Sequence, residues 1–140
     1  RKRAVVAQAI ALHQPDPEDP VGVLAALGGY DIAGMAGVFL GCAQSRVPVV
    51  PDCVISLTAA LCAARLCPAA CGYILASHLP MEPAGPLLLA ALCKTPVVTA
   101  GLRLGEGTGG ILLAPMLDMA MALYYGTTFE QLDVEAYTPQ

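Results

Sequence analysis

Three short apolar runs, each breaking onto polar residues, constrain this chain more than any other feature. Val47-Pro48-Val49-Val50 closes on Pro51-Asp52, and Tyr73-Ile74-Leu75-Ala76 closes on Ser77-His78. The segment from Pro96 to Arg103 opens into Gly105-Glu106-Gly107-Thr108-Gly109-Gly110. Runs this short, apolar throughout and bounded by turn residues, read as buried strands. Longer Ala/Leu-rich stretches lie around them, and their lengths and breakers predict helices. These cover residues 3–13, Pro20 to Leu27, Ile32 to Gln44, 54–66, Pro83 to Cys93, and a long apolar helix from the glycine segment to Tyr125. Asp19-Pro20 supplies an N-cap followed by proline at the first helical position, where its missing N–H costs nothing. Gly28-Gly29 ends that helix, and Asp31 is expected to cap the next. Strands alternating with helices predict an α/β fold, a parallel sheet of short strands covered on both faces by helices in a Rossmann-like three-layer arrangement. The chain reads as a single α/β region over 1–140, with a polar tail from 127 to 140.

Composition narrows the function. Of the 140 residues 56% are hydrophobic and 13% charged, with net charge −4. Seven Lys and Arg against eleven Asp and Glu give a pI near 4.9 and no basic stripe. Nucleic-acid binding, which relies on releasing counterions from phosphates, is therefore not expected. A mean hydropathy of +0.65 invites a membrane reading. Yet the run from Ile111 to Tyr125 is interrupted by Pro115 and Asp118, and spanning needs about 20 apolar residues. Average chains carry about 25% charge. So little charge here implies that other protein covers part of the surface, either a second copy or the remainder of a longer chain.

Six cysteines, at 42, 53, 62, 67, 71 and 93, fall in helical runs without Cys-x-x-Cys spacing or a histidine pair. They are expected to be core thiols rather than metal ligands or disulfide partners, which suits a reducing, cytoplasmic compartment. Met116, Met119 and Met121 are read likewise as core filler. Gly37 and Gly41 make a small-x-x-x-small edge, expected to let another helix pack closely.

Ligands of parallel α/β sheets bind beyond the carboxyl ends of the strands. Asp52, Ser77-His78 and the segment from Arg103 to Gly110 all fall there, and Gly28-Gly29 is a further candidate. Gly105, Gly107 and Gly110 satisfy the G-x-G-x-x-G spacing of dinucleotide sites. Two features oppose that reading: no second strand follows the helix, and Glu106 would turn a carboxylate toward the pyrophosphate. A carboxylate between glycines suits proton acceptance instead. The helix N-terminus offers N–H groups to an anion, and Arg103 offers a guanidinium to phosphate. The same Glu106 could equally be a dipole-stabilised first-turn glutamate. Asp52 could hold a ribose hydroxyl or cap the following helix. His78 is expected to be a hydrogen-bonded strand-end residue.

Arg103-Leu104-Gly105-Glu106-Gly107-Thr108-Gly109 resembles the signature of the nicotinate-nucleotide–dimethylbenzimidazole phosphoribosyltransferases. So do Asp19-Pro20 and the run from Gly28-Gly29-Tyr30-Asp31 to Gly37, Val47–Val50 followed by Asp52 and an Ala-rich helix, and the strand ending at Ser77-His78. These motifs occur in the family's order across nearly the whole chain. The resemblance implies transfer of phosphoribosyl from nicotinate mononucleotide to dimethylbenzimidazole or a related azole, giving α-ribazole phosphate and nicotinate in cobalamin lower-ligand synthesis. It implies Glu106 as general base, and Arg103, Gly105, Gly28 and Gly29 match positions expected to hold the nucleotide; Leu104, Gly107, Asp52, Ser77 and His78 complete the expected substrate-binding set. No cofactor and no metal are implied. The partners expected are the two small-molecule substrates and either a second copy, as a homodimer, or an absent N-terminal half.

Two departures from the family pattern stand out. Asp52-Cys53-Val54 replaces the usual Asp-Gly-Phe, and Ser77-His78-Leu79-Pro80-Met81-Glu82 loses a hydroxyl. Family members are about twice as long, so the chain corresponds to the C-terminal part of a larger domain and is expected to show weak or no activity alone. The alternatives are a nucleotide-binding Rossmann-type module without chemistry, or an inactive fragment or interaction subunit of the same fold.

Overall fold

The structure is a computed structural model that describes residues 2–128, 130–133, 135 and 138. Six α-helices run through it: α1 (Lys2–His13), α2 (Pro20–Leu27), α3 (Tyr30–Gln44), α4 (Val54–Leu66), α5 (Gly85–Ala91) and α6 (Thr108–Tyr124). Short 3₁₀ turns occupy Pro68–Tyr73 and Glu130–Leu132. The expected tail, 127–140, lies partly outside the described residues.

Helix α2 starts as its sequence dictates. Asp19 is the N-cap, its side chain accepting from the Val21 amide at 3.1 Å, and Pro20 takes the first position. Helix α3 begins earlier than expected, with Gly29 as N-cap, so Asp31 sits in its first turn rather than at the cap. There its charge still favours the positive end of the helix. Helix α4 matches its predicted bounds. Helix α5 is shorter than expected because Pro83 and Ala84 stay outside it and the chain passes through a left-handed turn at Cys93 (φ 52°).

The expected strands are reduced to single pairings. Val49 bridges Ile74 and His78 bridges Val98, both in parallel sense, and no continuous strand is found among the described residues. The pairing is carried by the amides of Val49 to Tyr73 O (2.8 Å), Leu75 to Val49 O (2.9 Å) and Leu79 to Val98 O (2.9 Å). Prolines at 48, 51 and 96 have no N–H to donate, so a ladder cannot extend through them. The α/β character thus rests on extended segments in strand-like positions with helices around them.

The core lies between α3, α4 and these segments. Ala36 and Phe39 of α3 face Leu57, Ala59, Ala60 and Ala63 of α4, with Ile74, Ala76, Leu89 and Leu92 closing the cluster. Alanines along the inner side of α4 let neighbouring backbone approach closely, and this buried apolar surface is the main stabilising term. Outside it, much apolar surface is open. Helix α1 buries no residue, α6 buries only Gly109 and Leu113, and Tyr30 is fully exposed. Met116, Met119 and Met121 are exposed, contrary to their expected core role. No neighbour stands within 4 Å of a Cβ placed on Gly34, Gly37 or Gly41, so the expected close helix packing along that edge is absent among the described residues. No helix among those residues is long and apolar enough to cross a membrane.

Candidate active site

The ends of the three extended segments converge on one loop. The first turns at Pro51-Asp52 into α4. Its corner is fixed by Ser56, whose hydroxyl accepts from the amides of Asp52 (2.9 Å) and Cys53 (3.0 Å) and donates to the Cys53 carbonyl (3.0 Å). The second ends at Ser77-His78, which are only 1% and 4% exposed. The Ser77 hydroxyl donates to the Pro51 carbonyl at 3.2 Å, tying the first two ends together. Its oxygen also lies 3.1 Å from His78 Nδ1. With the hydroxyl proton directed to Pro51, Nδ1 is the donor in the contact between the two side chains.

The third segment leads into the loop 105–109. Gly107 adopts φ +82°, a left-handed conformation open to glycine at no steric cost, and so turns the chain into α6. The amides of Gly107 and Gly109 both donate to the Asp52 carboxylate, at 2.8 Å to Oδ2 and 2.7 Å to Oδ1. These are lengths typical of bonds to a charged acceptor. Helix α6 therefore begins with its positive end already facing a resident carboxylate. The expected free anion site at this helix start is correspondingly reduced, because two of its N–H groups are engaged.

Close contacts complete the loop. A Cβ on Gly109 would overlap His78 Nδ1 and lie 2.7 Å from the Ser77 Oγ. One on Gly105 would lie 2.8 and 2.9 Å from Cys53 Cβ and Sγ. Only glycine fits at either place. Glu106, between these anchors, is exposed.

Comparison with known proteins bears on this arrangement. The family model described as phosphoribosyltransferase matches residues 1–134. This chain belongs to the nicotinate-nucleotide–dimethylbenzimidazole phosphoribosyltransferase family. It is 47% identical to the protein of that name from Salinispora tropica over 96% of this chain and 37% of the relative. The corresponding protein of Acetivibrio thermocellus is 42% identical over the whole chain and 40% of its own length. The crystal structure of the Thermus thermophilus enzyme of the same name superposes with a TM-score of 0.88 at 33% identity, covering 97% of this chain and 41% of that one. The chain thus spans about two fifths of the length of the relatives it matches.

Within this phosphoribosyltransferase segment, Asp52, Ser77, His78, Gly105, Glu106 and Gly107 gather at the loop. Arg103 and Leu104 are exposed just before it, and Arg103 lines an open groove with Met81, Glu82 and Pro83. Gly28 and Gly29 line a separate, mainly apolar groove of about 580 Å³ with Val21, Leu24, Tyr30 and Ala33. The sequence reading missed three parts of the site: the Ser56 cap, the contact of Cys53 with Gly105, and the seat of Gly109 on Ser77-His78. A serine three residues after Cys53 was an available signal for the first, being a hydroxyl placed to reach back over the helix start. The other two are contacts across the sequence that spacing cannot reveal.

All six cysteines are free thiols, but none is buried as expected. Cys67 and Cys93 are exposed, the first capping the end of α4 and the second following α5. Burial raises the pKa of Cys62 above the ordinary thiol value, partly offset by a backbone hydrogen bond.

Proposed function

We propose that this chain is the base-bearing part of an enzyme that moves phosphoribosyl from nicotinate mononucleotide to dimethylbenzimidazole or a related azole, yielding α-ribazole phosphate and nicotinate for the cobalamin lower ligand. The observation that carries this reading is the Glu106 loop, held at the strand ends of a chain that belongs to this family. One azole nitrogen attacks the anomeric carbon on the face opposite nicotinate. The C–N bond to the pyridinium breaks, its electron pair stays on the nicotinate nitrogen, and configuration inverts. The azole's other nitrogen gives its proton to the Glu106 carboxylate. Because nicotinate leaves with a neutral ring nitrogen, the step needs no general acid. Base catalysis of this kind is worth roughly 10²–10⁴ in rate.

Arg103 supplies charge for the nucleotide phosphate, with Leu104, Gly105 and Gly107 along its path, and Gly28-Gly29, in their own groove, offer backbone to another part of the substrate. Ser77 and His78 support the loop from below. Glu106 is open to solvent here, whereas a general base works best shielded from bulk water. Segments outside this chain, or a second copy, supply that shield, and the uncovered faces of α1 and α6 are where such protein would rest. The Rossmann-like layering, the homodimer and the cytoplasmic setting belong to the same reading. Exposed free thiols suit a reducing compartment.

The test is reconstitution. The 140-residue chain is mixed with the N-terminal portion of the Salinispora tropica relative, and nicotinate release and α-ribazole phosphate are measured. The chain alone should show weak or no activity, the mixture should be active, and the mixture carrying Glu106→Gln inactive while still binding nicotinate mononucleotide. Full activity of the Gln variant would overturn the base assignment.

A further inference from the structure

We infer that Asp52 and Cys53 form a positioning clamp that sets where the Glu106 carboxylate stands, with Asp52 the principal positioning residue. The inference rests on the reading of Glu106 as the base. Among the described residues no hydrogen bond reaches the exposed Glu106 side chain, so the loop backbone is what limits where its carboxylate can reach. That backbone is held on both sides of Glu106. Behind it, Gly105 rests against Cys53, so closely that a methyl group cannot be added. Ahead of it, the amides of Gly107 and Gly109 converge on one carboxylate.

Both oxygens of Asp52 are used in this way. A carboxylate reserved for a ribose hydroxyl would not need to accept two loop amides at charge-assisted lengths. The clamp is itself rigid: Ser56 holds the amides of both residues, and the preceding Pro51 carbonyl accepts from buried Ser77. The hydrogen-bonded path runs from α4 through Asp52 to the start of α6. Cys53 stands where the family pattern has glycine, so in this chain a side chain lies against Gly105.

Displacing a reacting group by about 1 Å costs on the order of 100-fold in rate. Asp52→Asn keeps the shape but turns an NH₂ toward one amide, breaking that bond and the charge assistance of the other. In the reconstituted enzyme we expect kcat to fall about 10–100-fold while KM for nicotinate mononucleotide stays within about 2-fold. In ¹H–¹⁵N spectra of the 140-residue chain, the Gly107 and Gly109 amide protons should move upfield in Asp52→Asn. The Gly109 amide, two residues beyond the neighbour of the substitution, should stay in place in Glu106→Gln. Cys53→Gly should speed hydrogen exchange at the Gly105 to Gly107 amides. A raised KM with unchanged kcat would make Asp52 a ribose ligand and overturn the inference, as would unmoved glycine amides. Loss of turnover in Glu106→Gln separates the two readings: if that variant stays active the base assignment fails, whereas the amide shifts judge the clamp independently.

Discussion

Alanine at Gly109 should be among the most damaging small substitutions this chain can receive. The new methyl group would collide with His78 and press on the Ser77 hydroxyl, two side chains that are almost fully buried. Neither can withdraw freely, since Ser77 is bonded to Pro51 and to His78. Overpacking of this kind costs about 1–3 kcal/mol. Loss of a buried hydrogen bond adds about 1–3 kcal/mol. Alanine's better helix propensity returns at most about 1 kcal/mol, and less in the first turn, where Gly109 lies. The net expectation is a destabilisation of about 3 kcal/mol. Unfolding entropy of about 2.1 cal/mol/K per residue then places the drop in melting temperature near 10 °C. Differential scanning calorimetry of the 140-residue chain measures it directly. Gly37→Ala is the matched control, being a helix-interior glycine with open space at its Cβ position, and it should raise stability by about 0.5–1 kcal/mol. Equal melting temperatures for the two variants would refute the packing argument at the loop.

Two further outcomes follow from the same geometry. Gly105→Ala should destabilise the loop and slow the reconstituted enzyme, and Cys53→Gly should relieve much of that defect by removing the atoms the new methyl meets, a coupling read from a double-mutant cycle. Thiol labelling near neutral pH should modify Cys67 and Cys93 first and Cys62 much more slowly, because burial favours the protonated form of Cys62 and holds back its reactive thiolate. Mass spectrometry of partly labelled chain resolves the order, and rapid labelling of Cys62 would contradict its partial burial.

Local signals in the sequence were readable wherever the physics was local. Asp19-Pro20 specified the start of α2, and the Ala-rich stretch after Cys53 indicated α4 at about its observed bounds. The glycine-carboxylate-glycine segment between an extended run and a helix marked the loop correctly. The strands were overestimated because apolar patterning indicates burial, while the prolines at 48, 51 and 96 decide how far pairing can run. The methionines, the cysteines and the glycine edge of α3 were read as buried or packed for a related reason. Apolar character reports that a face is covered somewhere, but not that this chain supplies the cover. The exposure of Met119, Leu123, Tyr124 and Tyr125 on α6 and its end makes that distinction visible. The role of Asp52 was left open between ribose and helix cap because its actual partners, Gly107 and Gly109, lie 55 and 57 residues away.

In the proposed reaction Glu106, presented by a clamped glycine loop, takes the proton from the azole. Single-turnover nicotinate release by the reconstituted enzyme, compared between the native chain and Glu106→Gln, tests it most directly. The rate should be lower by at least about 100-fold in the Gln variant, with nicotinate mononucleotide affinity kept within a few-fold. A Gln variant that turns over at the native rate, or that loses affinity in proportion to rate, would contradict it.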